Sequence, residues 1–167
     1  VRPWRKPLVV MTPKSLLRRP DSVSSLAEVT SGRFGRILPN RPPSLDGSGA
    51  PKGEMQATPA DRVADESADP AIRRVLLCSG KVYYDLAAYR REHERRDVAI
   101  LRLEQLYPLQ RRAVEEALAA YPDEARVLWV QEEPENMGAW CYLARVLGAE
   151  RIARRSIDSV ARPASAS

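Results

Sequence analysis

The sequence has almost none of the residues from which metal sites and nucleophilic active sites are commonly built. It contains one histidine, His93, and two cysteines, Cys78 and Cys141. His93 lies in the run RREHERR at 90–96, whose alternating charges late in a predicted helix indicate a solvent-exposed face. A catalytic triad with a histidine base is therefore not expected, because the single histidine is in an unsuitable position. The cysteines lack metal-ligand spacing, so we expect two buried, inert thiols, no metal site and no catalytic residue.

Long apolar runs are also missing. Runs such as residues 8–11 fall far short of the ~18 to 20 apolar residues that a membrane span needs, so we expect a soluble chain without membrane contact. The chain begins at Val1 and lacks the parts of an export signal, which favours a reducing compartment. We interpret it as a piece of a longer polypeptide from the bacterial cytoplasm, or from the mitochondrial matrix if the source is eukaryotic.

Charge of one sign dominates the start of the chain. Residues 1–36 hold eight basic and two acidic side chains, whereas residues 37–70 hold three basic and six acidic ones. A basic end can bind nucleic acid or an acidic partner. The side chains concerned are Arg2, Arg5, Lys6, Lys14, Arg18 and Arg19. Only Trp4 and Phe34 accompany these charges, which disfavours nucleic acid because single strands are bound by interleaved aromatic residues.

Residues 37–70 are rich in proline and glycine and poor in large apolar side chains. Such a stretch cannot bury enough surface to offset the entropy lost on ordering. We therefore expect a flexible, disordered excursion that interrupts a single domain spanning residues 1–167.

Apolar segments of strand length alternate with helical segments in the rest of the chain. The predicted strands cover residues 7–11, 74–79, 98–103, 127–130 and 157–160. The predicted helices cover residues 82–95, 109–121 and 138–147, with a helix start at 12–14 and a short helix between Ser25 and Gly32. Strands that are apolar throughout and alternate with helices are typical of a parallel sheet. The sequence thus predicts a three-layer α/β fold with about five mostly parallel strands and helices on both faces.

The stretch CSGKVYYDL at 78–86 raises the question of a phosphate-binding loop. Such a loop needs a first glycine where Val75 stands and a hydroxyl where Val82 stands, so the spacing excludes it. Glycine at the end of a strand that leads into a helix still exposes backbone N–H groups. Two readings stay open, a plain strand-to-helix turn or an anion or effector site. The residues of that site would be Ser79, Gly80, Lys81 and Arg102.

The stretch QEEPENMGAW at 131–140 places carboxylates after a predicted strand. An acid–base pair needs environments that separate the two pKa values, and nothing in the sequence provides them. We expect Asn136 to cap the following helix. The other hypothesis is a subunit or partner contact, formed by Glu132, Glu133, Asn136 and Trp140.

Six motifs taken in order resemble one family. They are PLVVMTPKSLL (7–17), VSSLAEVT (23–30), LCSGKVYYDL (77–86), DVAILRLEQLYP (97–108), QEEPENMGAW (131–140) and RPASAS (162–167). Together they resemble the C-terminal region of 2-oxoglutarate dehydrogenase, the thiamine diphosphate-dependent, decarboxylating component of its complex, in bacterial style. The resemblance runs over about residues 6–31 and from about residue 75 to the end.

The resemblance implies a transketolase C-terminal-like fold with a mixed, mostly parallel sheet. It also implies a parent homodimer of the tricarboxylic acid cycle that decarboxylates 2-oxoglutarate and passes succinyl to the lipoyl acyltransferase component. Earlier domains of that parent hold thiamine diphosphate and magnesium. We therefore expect this piece to be inactive alone, to serve dimer assembly and to shape the active-site region. The alternatives are a regulatory acyl-CoA or anion-binding module and a binder of nucleic acid or acidic partners.

The sequence departs from the family at two positions and at its end. Arg19 stands where the family usually has histidine, and Met137 where it usually has glutamine, so no family role is carried over to them. Family members also continue beyond PASAS, which favours a fragment or a gene cut short.

Overall fold

The chain folds into an α/β structure, which a computed structural model describes over residues 6–7, 9–24, 26–31, 33–38, 71–148 and 152–166. Most of the predicted excursion, residues 39–70, lies outside the described residues, as do Ser25 and Gly32. Two 3-10 turns, Leu16–Arg18 and Pro20–Ser22, precede the main elements. These are α1 (Leu26–Ser31), β1 (Ile37–Leu38), β2 (Arg74–Cys78), α2 (Val82–Glu92), β3 (Val98–Leu103), α3 (Arg111–Ala119), β4 (Arg126–Pro134), α4 (Trp140–Gly148) and β5 (Ile157–Arg162).

Five strands form one mixed sheet in the order β1-β3-β2-β4-β5. The pairs β2–β3, β2–β4 and β4–β5 are parallel, and β1 pairs with β3 in the antiparallel sense. The α/β class and the mostly parallel sheet of five strands are therefore confirmed. Among the described helices, none is long and apolar enough to cross a membrane.

The two faces of the sheet are covered by different helices because side chains alternate along each strand. On one face, α3 and α4 pack on a cluster that includes Val75, Leu77, Leu101, Leu118, Trp129, Leu143 and Leu147. On the other face, α2 packs on a smaller cluster that includes Cys78, Ile100, Val130, Val82 and Leu86. The core thus lies in two layers, with the central strand β2 contributing to both.

The strand predicted at residues 7–11 is wrong. Residues 9–11 have no regular structure, and Val9, Val10 and Met11 are 80%, 66% and 89% exposed. An apolar run becomes a strand only where a neighbouring strand accepts its hydrogen bonds and a second layer covers it. In the part of the chain that the structure describes, no strand pairs with residues 9–11 and no second layer covers them. The following helix start is a short 3-10 turn at Leu16–Arg18.

The boundary of the excursion is also wrong at its first two positions. Ile37 and Leu38 form β1, opposite Leu103 and Arg102 of β3. Composition averaged over residues 37–70 hid this short strand, since two apolar residues carry no periodic signal. The five-stranded count holds, but with β1 in place of residues 7–11.

Three further expectations need correction. The strand predicted at 127–130 extends to Pro134, so Glu132 and Glu133 lie within β4 rather than after it. The helix predicted from 138 begins at Trp140, and Asn136 does not cap it. Cys78 is buried as expected, but Cys141 in the first turn of α4 is exposed.

Candidate functional site

The connections that leave the carboxyl ends of β2 and β4 run in opposite directions at the centre of the sheet. The chain leaves β2 through α2 on one face and reaches β3, and it returns from β3 through α3 on the opposite face to reach β4 on the other side of β2. Connections that leave adjacent strands in opposite directions open a crevice, where open α/β sheets bind ligands. A crevice of ≈ 600 Å³ lies here, and we call it the switch-point crevice. Its lining includes Pro13, Ser79, Lys81, Leu106, Trp129, Glu132, Glu133 and Tyr142.

The Ser79-Gly80-Lys81 turn forms one rim of the crevice. Gly80 has φ 71°, a left-handed conformation that favours glycine, and it turns the chain from β2 into α2. Lys81 Nζ lies 2.6 Å from Glu132 Oε1 on β4. The hydrogen bond and negative charge of Glu132 raise the pKa of Lys81 above its ordinary value. Lys81 of the predicted anion site and Glu132 of the predicted contact site therefore form one ion pair.

Arg102 does not join this group. It is absent from the crevice lining, and its guanidinium lies 4.3 Å from the centre of the Tyr83 ring. Its Nε pairs with Glu104 at 3.2 Å, and its Nη1 donates to the Tyr84 hydroxyl at 3.4 Å. The structure thus brings Ser79, Gly80 and Lys81 to the crevice but leaves Arg102 beside the aromatic residues of α2.

A buried glutamine builds the opposite wall. Gln131 Oε1 accepts hydrogen bonds from Trp129 Nε1 at 2.8 Å and from the Trp140 backbone at 3.0 Å. Its Nε2 donates to the carbonyls of Pro134 and Met137, each at 2.9 Å. One side chain therefore ties the end of β4 to the start of α4. Gln131 stands in the quoted stretch QEEPENMGAW, but its sequence context gave it no role; the signal was a carboxamide that directly follows the apolar run 127–130.

The expected contact residues separate in the structure. Glu132 and Glu133 line the crevice, whereas Asn136 and Trp140 do not. Asn136 exchanges two hydrogen bonds with the backbone of Ser165. Trp140 begins α4 and packs against the larger core cluster.

Arg19 contacts α2 from the part of the chain that precedes β1, which we call the N-terminal segment. Its guanidinium lies 5.0 Å from the centre of the Tyr84 ring, and its Nη1 donates to Asp85 at 3.4 Å. Asp21 accepts from Arg19 Nε, also at 3.4 Å. Pro13 on the same segment lines the crevice, so the segment lies over its edge. From the sequence, Arg19 was assigned to the basic end of the chain and noted as a departure from the family, but its contact with α2 was not predicted.

Cys78 and His93 lie outside the crevice lining. Burial raises the pKa of the Cys78 thiol to about 12, which leaves it protonated at neutral pH. His93 stacks on Tyr89 at the far end of α2, with ring centres 3.9 Å apart. Within the described ranges, no group of histidine, cysteine and carboxylate side chains has a metal-binding arrangement. The crevice offers apolar walls, one ion pair and the carboxylate of Glu133, which suits binding or contact.

Comparisons with known proteins agree on one family. The family model described as 2-oxoglutarate dehydrogenase C-terminal matches residues 23–167. The 2-oxoglutarate dehydrogenase E1 component of Cupriavidus necator is 39% identical over 167 residues, which is 100% of this chain and 15% of that protein. The E1 component of Coxiella burnetii is 43% identical over 143 residues, 84% of this chain and 13% of that protein.

A related protein carries a different name. The multifunctional 2-oxoglutarate metabolism enzyme of Mycolicibacterium vanbaalenii is 40% identical over 163 residues, 92% of this chain and 12% of that protein. This chain therefore spans between 12% and 15% of the length of these three relatives.

Proposed function

The chain belongs to the 2-oxoglutarate dehydrogenase C-terminal family, and from that premise we propose that it is the C-terminal domain of an E1 component. The complete enzyme would be a homodimer of the tricarboxylic acid cycle in the bacterial cytoplasm. It would decarboxylate 2-oxoglutarate with thiamine diphosphate and transfer succinyl to the lipoyl acyltransferase component. The observation that carries the proposal is 39% identity along all 167 residues.

The domain itself would support assembly. Its transketolase C-terminal-like fold would present the end of β2 and β4 toward the rest of the enzyme. As the resemblance to the family implies, we place thiamine diphosphate and its metal in other domains of the complete enzyme. The isolated chain is then expected to be inactive.

The N-terminal segment favours an assembly role through its exposed apolar side chains. The large ones are Val9, Val10, Met11, Leu17, Val23, Leu26, Val29 and Phe34. They form most of the exposed large apolar residues in the described ranges. Full burial of such a side chain is worth roughly 1.5–3 kcal/mol, so contact with another domain or a second copy would be strongly favourable.

Two experiments test this function. Titration of the isolated chain with thiamine diphosphate and magnesium is expected to give no saturable binding, and tight binding would refute the placement of the cofactor. In the full-length enzyme, Leu17→Ser with Val29→Ser is expected to shift the protein toward monomer in sedimentation. Val160→Ser, an exposed apolar site on β5, is the matched control and should leave the dimer intact.

A second candidate is a regulatory module for acyl-CoA or another anion at Ser79, Gly80, Lys81 and Arg102. The position of the crevice at the N-terminal end of α2 favours it. The pairing of Lys81 with Glu132 and of Arg102 with Glu104 opposes it, because each cation already has a partner. Lys81→Ala in the full-length enzyme should abolish the response to acyl-CoA; an unchanged response eliminates this candidate.

A third and weaker candidate is binding of nucleic acid or an acidic partner by the basic N-terminal residues. Arg19 already faces Asp21 and Asp85, which lowers the charge it can offer. Retention on DNA that falls steeply with salt would support this candidate, and absence of retention at low salt would dismiss it.

A further inference from the structure

The last described residues lie along the backbone that ends β4. Arg162 donates from Nε to the Glu132 carbonyl at 2.8 Å, and its own carbonyl accepts from the Glu135 amide at 2.9 Å. Further along, Asn136 Nδ2 donates to the Ser165 carbonyl at 3.0 Å, and the Ser165 amide donates to Asn136 Oδ1 at 3.1 Å. The contacts thus extend from Glu132 to Asn136 on one segment and from Arg162 to Ser165 on the other.

Asn136 pairs with Ser165 as a neighbouring strand would. A carboxamide carries donors and an acceptor, so it can satisfy the N–H and the C=O of one residue. The ladder between β4 and β5 shifts register between Val130 and Pro134, and the bonds between Asn136 and Ser165 continue the contact past that shift. Both bonds to Ser165 use its backbone, so the recognition does not depend on its side chain.

Glu132 lies between Arg162 and the crevice. Its carbonyl accepts from Arg162, while its carboxylate holds Lys81 Nζ at 2.6 Å. From within β4, the buried side chain of Gln131 donates to the carbonyls of Pro134 and Met137. Glu132 therefore contacts Arg162 through its backbone and Lys81 through its side chain.

We propose that residues 132–136 form a docking site for an extended backbone, occupied by residues 162–166 of the same chain, and that this docked segment, through Arg162, holds Glu132 against Lys81. The device differs from ordinary strand pairing because a side chain, Asn136, replaces the partner backbone. Release of residues 162–166 loosens residues 132–136 and frees the Lys81 amine from Glu132.

Two substitutions at Ser165 separate backbone from side-chain recognition in the full-length protein. Ser165→Pro removes the donated N–H, whereas Ser165→Ala keeps it. Asn136→Asp tests the other partner, because it replaces the donor with an oxygen that faces the Ser165 carbonyl. Hydrogen exchange of peptides covering 131–140 and 157–166 reports docking, and acylation of Lys81 by acetic anhydride, followed by mass spectrometry, reports the ion pair.

Ser165→Pro and Asn136→Asp are each expected to speed exchange in both peptides and acylation of Lys81 by about fivefold, the factor that one net hydrogen bond contributes. Ser165→Ala should match the wild type. Asp158→Asn is the matched control, because it removes the negative charge from the 3.2 Å contact with Arg126 at the opposite end of the β4–β5 pair. It should leave Lys81 acylation unchanged.

The outcomes are distinct. Unchanged exchange of both peptides in Ser165→Pro refutes the docking site. Faster exchange with an unchanged rate of Lys81 acylation refutes the link to the crevice. An effect of Ser165→Ala equal to that of Ser165→Pro refutes backbone recognition.

Discussion

Lys81 and Glu132 join the loop after β2 to β4 by an ion pair of 2.6 Å. The two strands are parallel neighbours, so the pair spans the crevice mouth at the centre of the sheet. Both side chains remain partly exposed, at 34% and 48%. Solvent therefore screens the pair, and its value lies in positioning more than in stability.

Glu132→Gln is expected to lower the pKa of Lys81 toward its ordinary value, because the hydrogen bond and charge of Glu132 are its main causes of elevation. Because the folded-state pKa is raised, the contribution of the pair to stability is present at neutral pH and is lost as pH rises through that pKa. The pH profile of Lys81 acylation should shift to lower pH in Glu132→Gln. Glu133→Gln, at the next position, is the control and should leave the profile unchanged.

Gln131→Leu should destabilise the domain by roughly 2–4 kcal/mol, because the buried carboxamide satisfies several partners that lose their hydrogen bonds together. Trp129 Nε1, the Trp140 backbone N–H and the Met137 carbonyl lose their bonds to Gln131, whereas the Pro134 carbonyl keeps the Met137 amide as a donor. Denaturant unfolding of the full-length protein, followed by hydrogen exchange of this region, measures the loss. Glu133→Leu, exposed on the same strand, is the matched control; equal losses in the two variants would contradict the role of Gln131.

The sequence predicted the central strands well because their signal is local. The run that becomes β3 is apolar except for Arg102, and its predicted bounds at 98–103 match Val98–Leu103. Burial on both faces of a parallel sheet produces such runs. The similar run at 7–11 misled the prediction, since apolar composition does not report whether a partner strand is present.

The site was harder to predict because its contacts join residues far apart in sequence. Lys81 and Glu132 were each noted, but no local pattern indicates that they pair. The role of Asn136 was assigned from its spacing to a helix, whereas the structure pairs it with Ser165, far along the chain. The local sequence does not indicate whether the Asn136 amide bonds to the next helix or to a residue far along the chain.

The two cysteines should differ in reactivity. Cys78 is buried and its pKa is raised to about 12, whereas Cys141 is exposed in the first turn of α4. A thiol-specific reagent at pH 8 should modify Cys141 rapidly and Cys78 only after unfolding, and peptide mapping identifies the modified site. As pH rises from the usual thiol value of 9.0 toward about 12, the unfolded state ionises first, so stability falls over that range. Rapid labelling of Cys78 in the native protein would contradict its burial.

Gly138 and Gly80 provide a matched pair of left-handed glycines, with φ 64° and 71°. Alanine at either position costs roughly 1–2 kcal/mol, because a Cβ crowds the backbone in this conformation. At Gly138 the added Cβ would also lie 3.1 Å from both the Gln131 amide and the Glu133 Cβ, whereas at Gly80 it would meet nothing within 4 Å.

Gly138→Ala should therefore lower the free energy of unfolding more than Gly80→Ala, and the difference should appear in the unfolding midpoint at unchanged denaturant slope. The extra loss should also shrink when Gln131 is replaced by alanine, because the shorter side chain removes the close contact with the Cβ. A double-mutant cycle between positions 131 and 138 measures that coupling. Equal losses at the two glycines, with no coupling to position 131, would show that backbone strain alone sets the cost and that the Gln131 amide does not require glycine beside it.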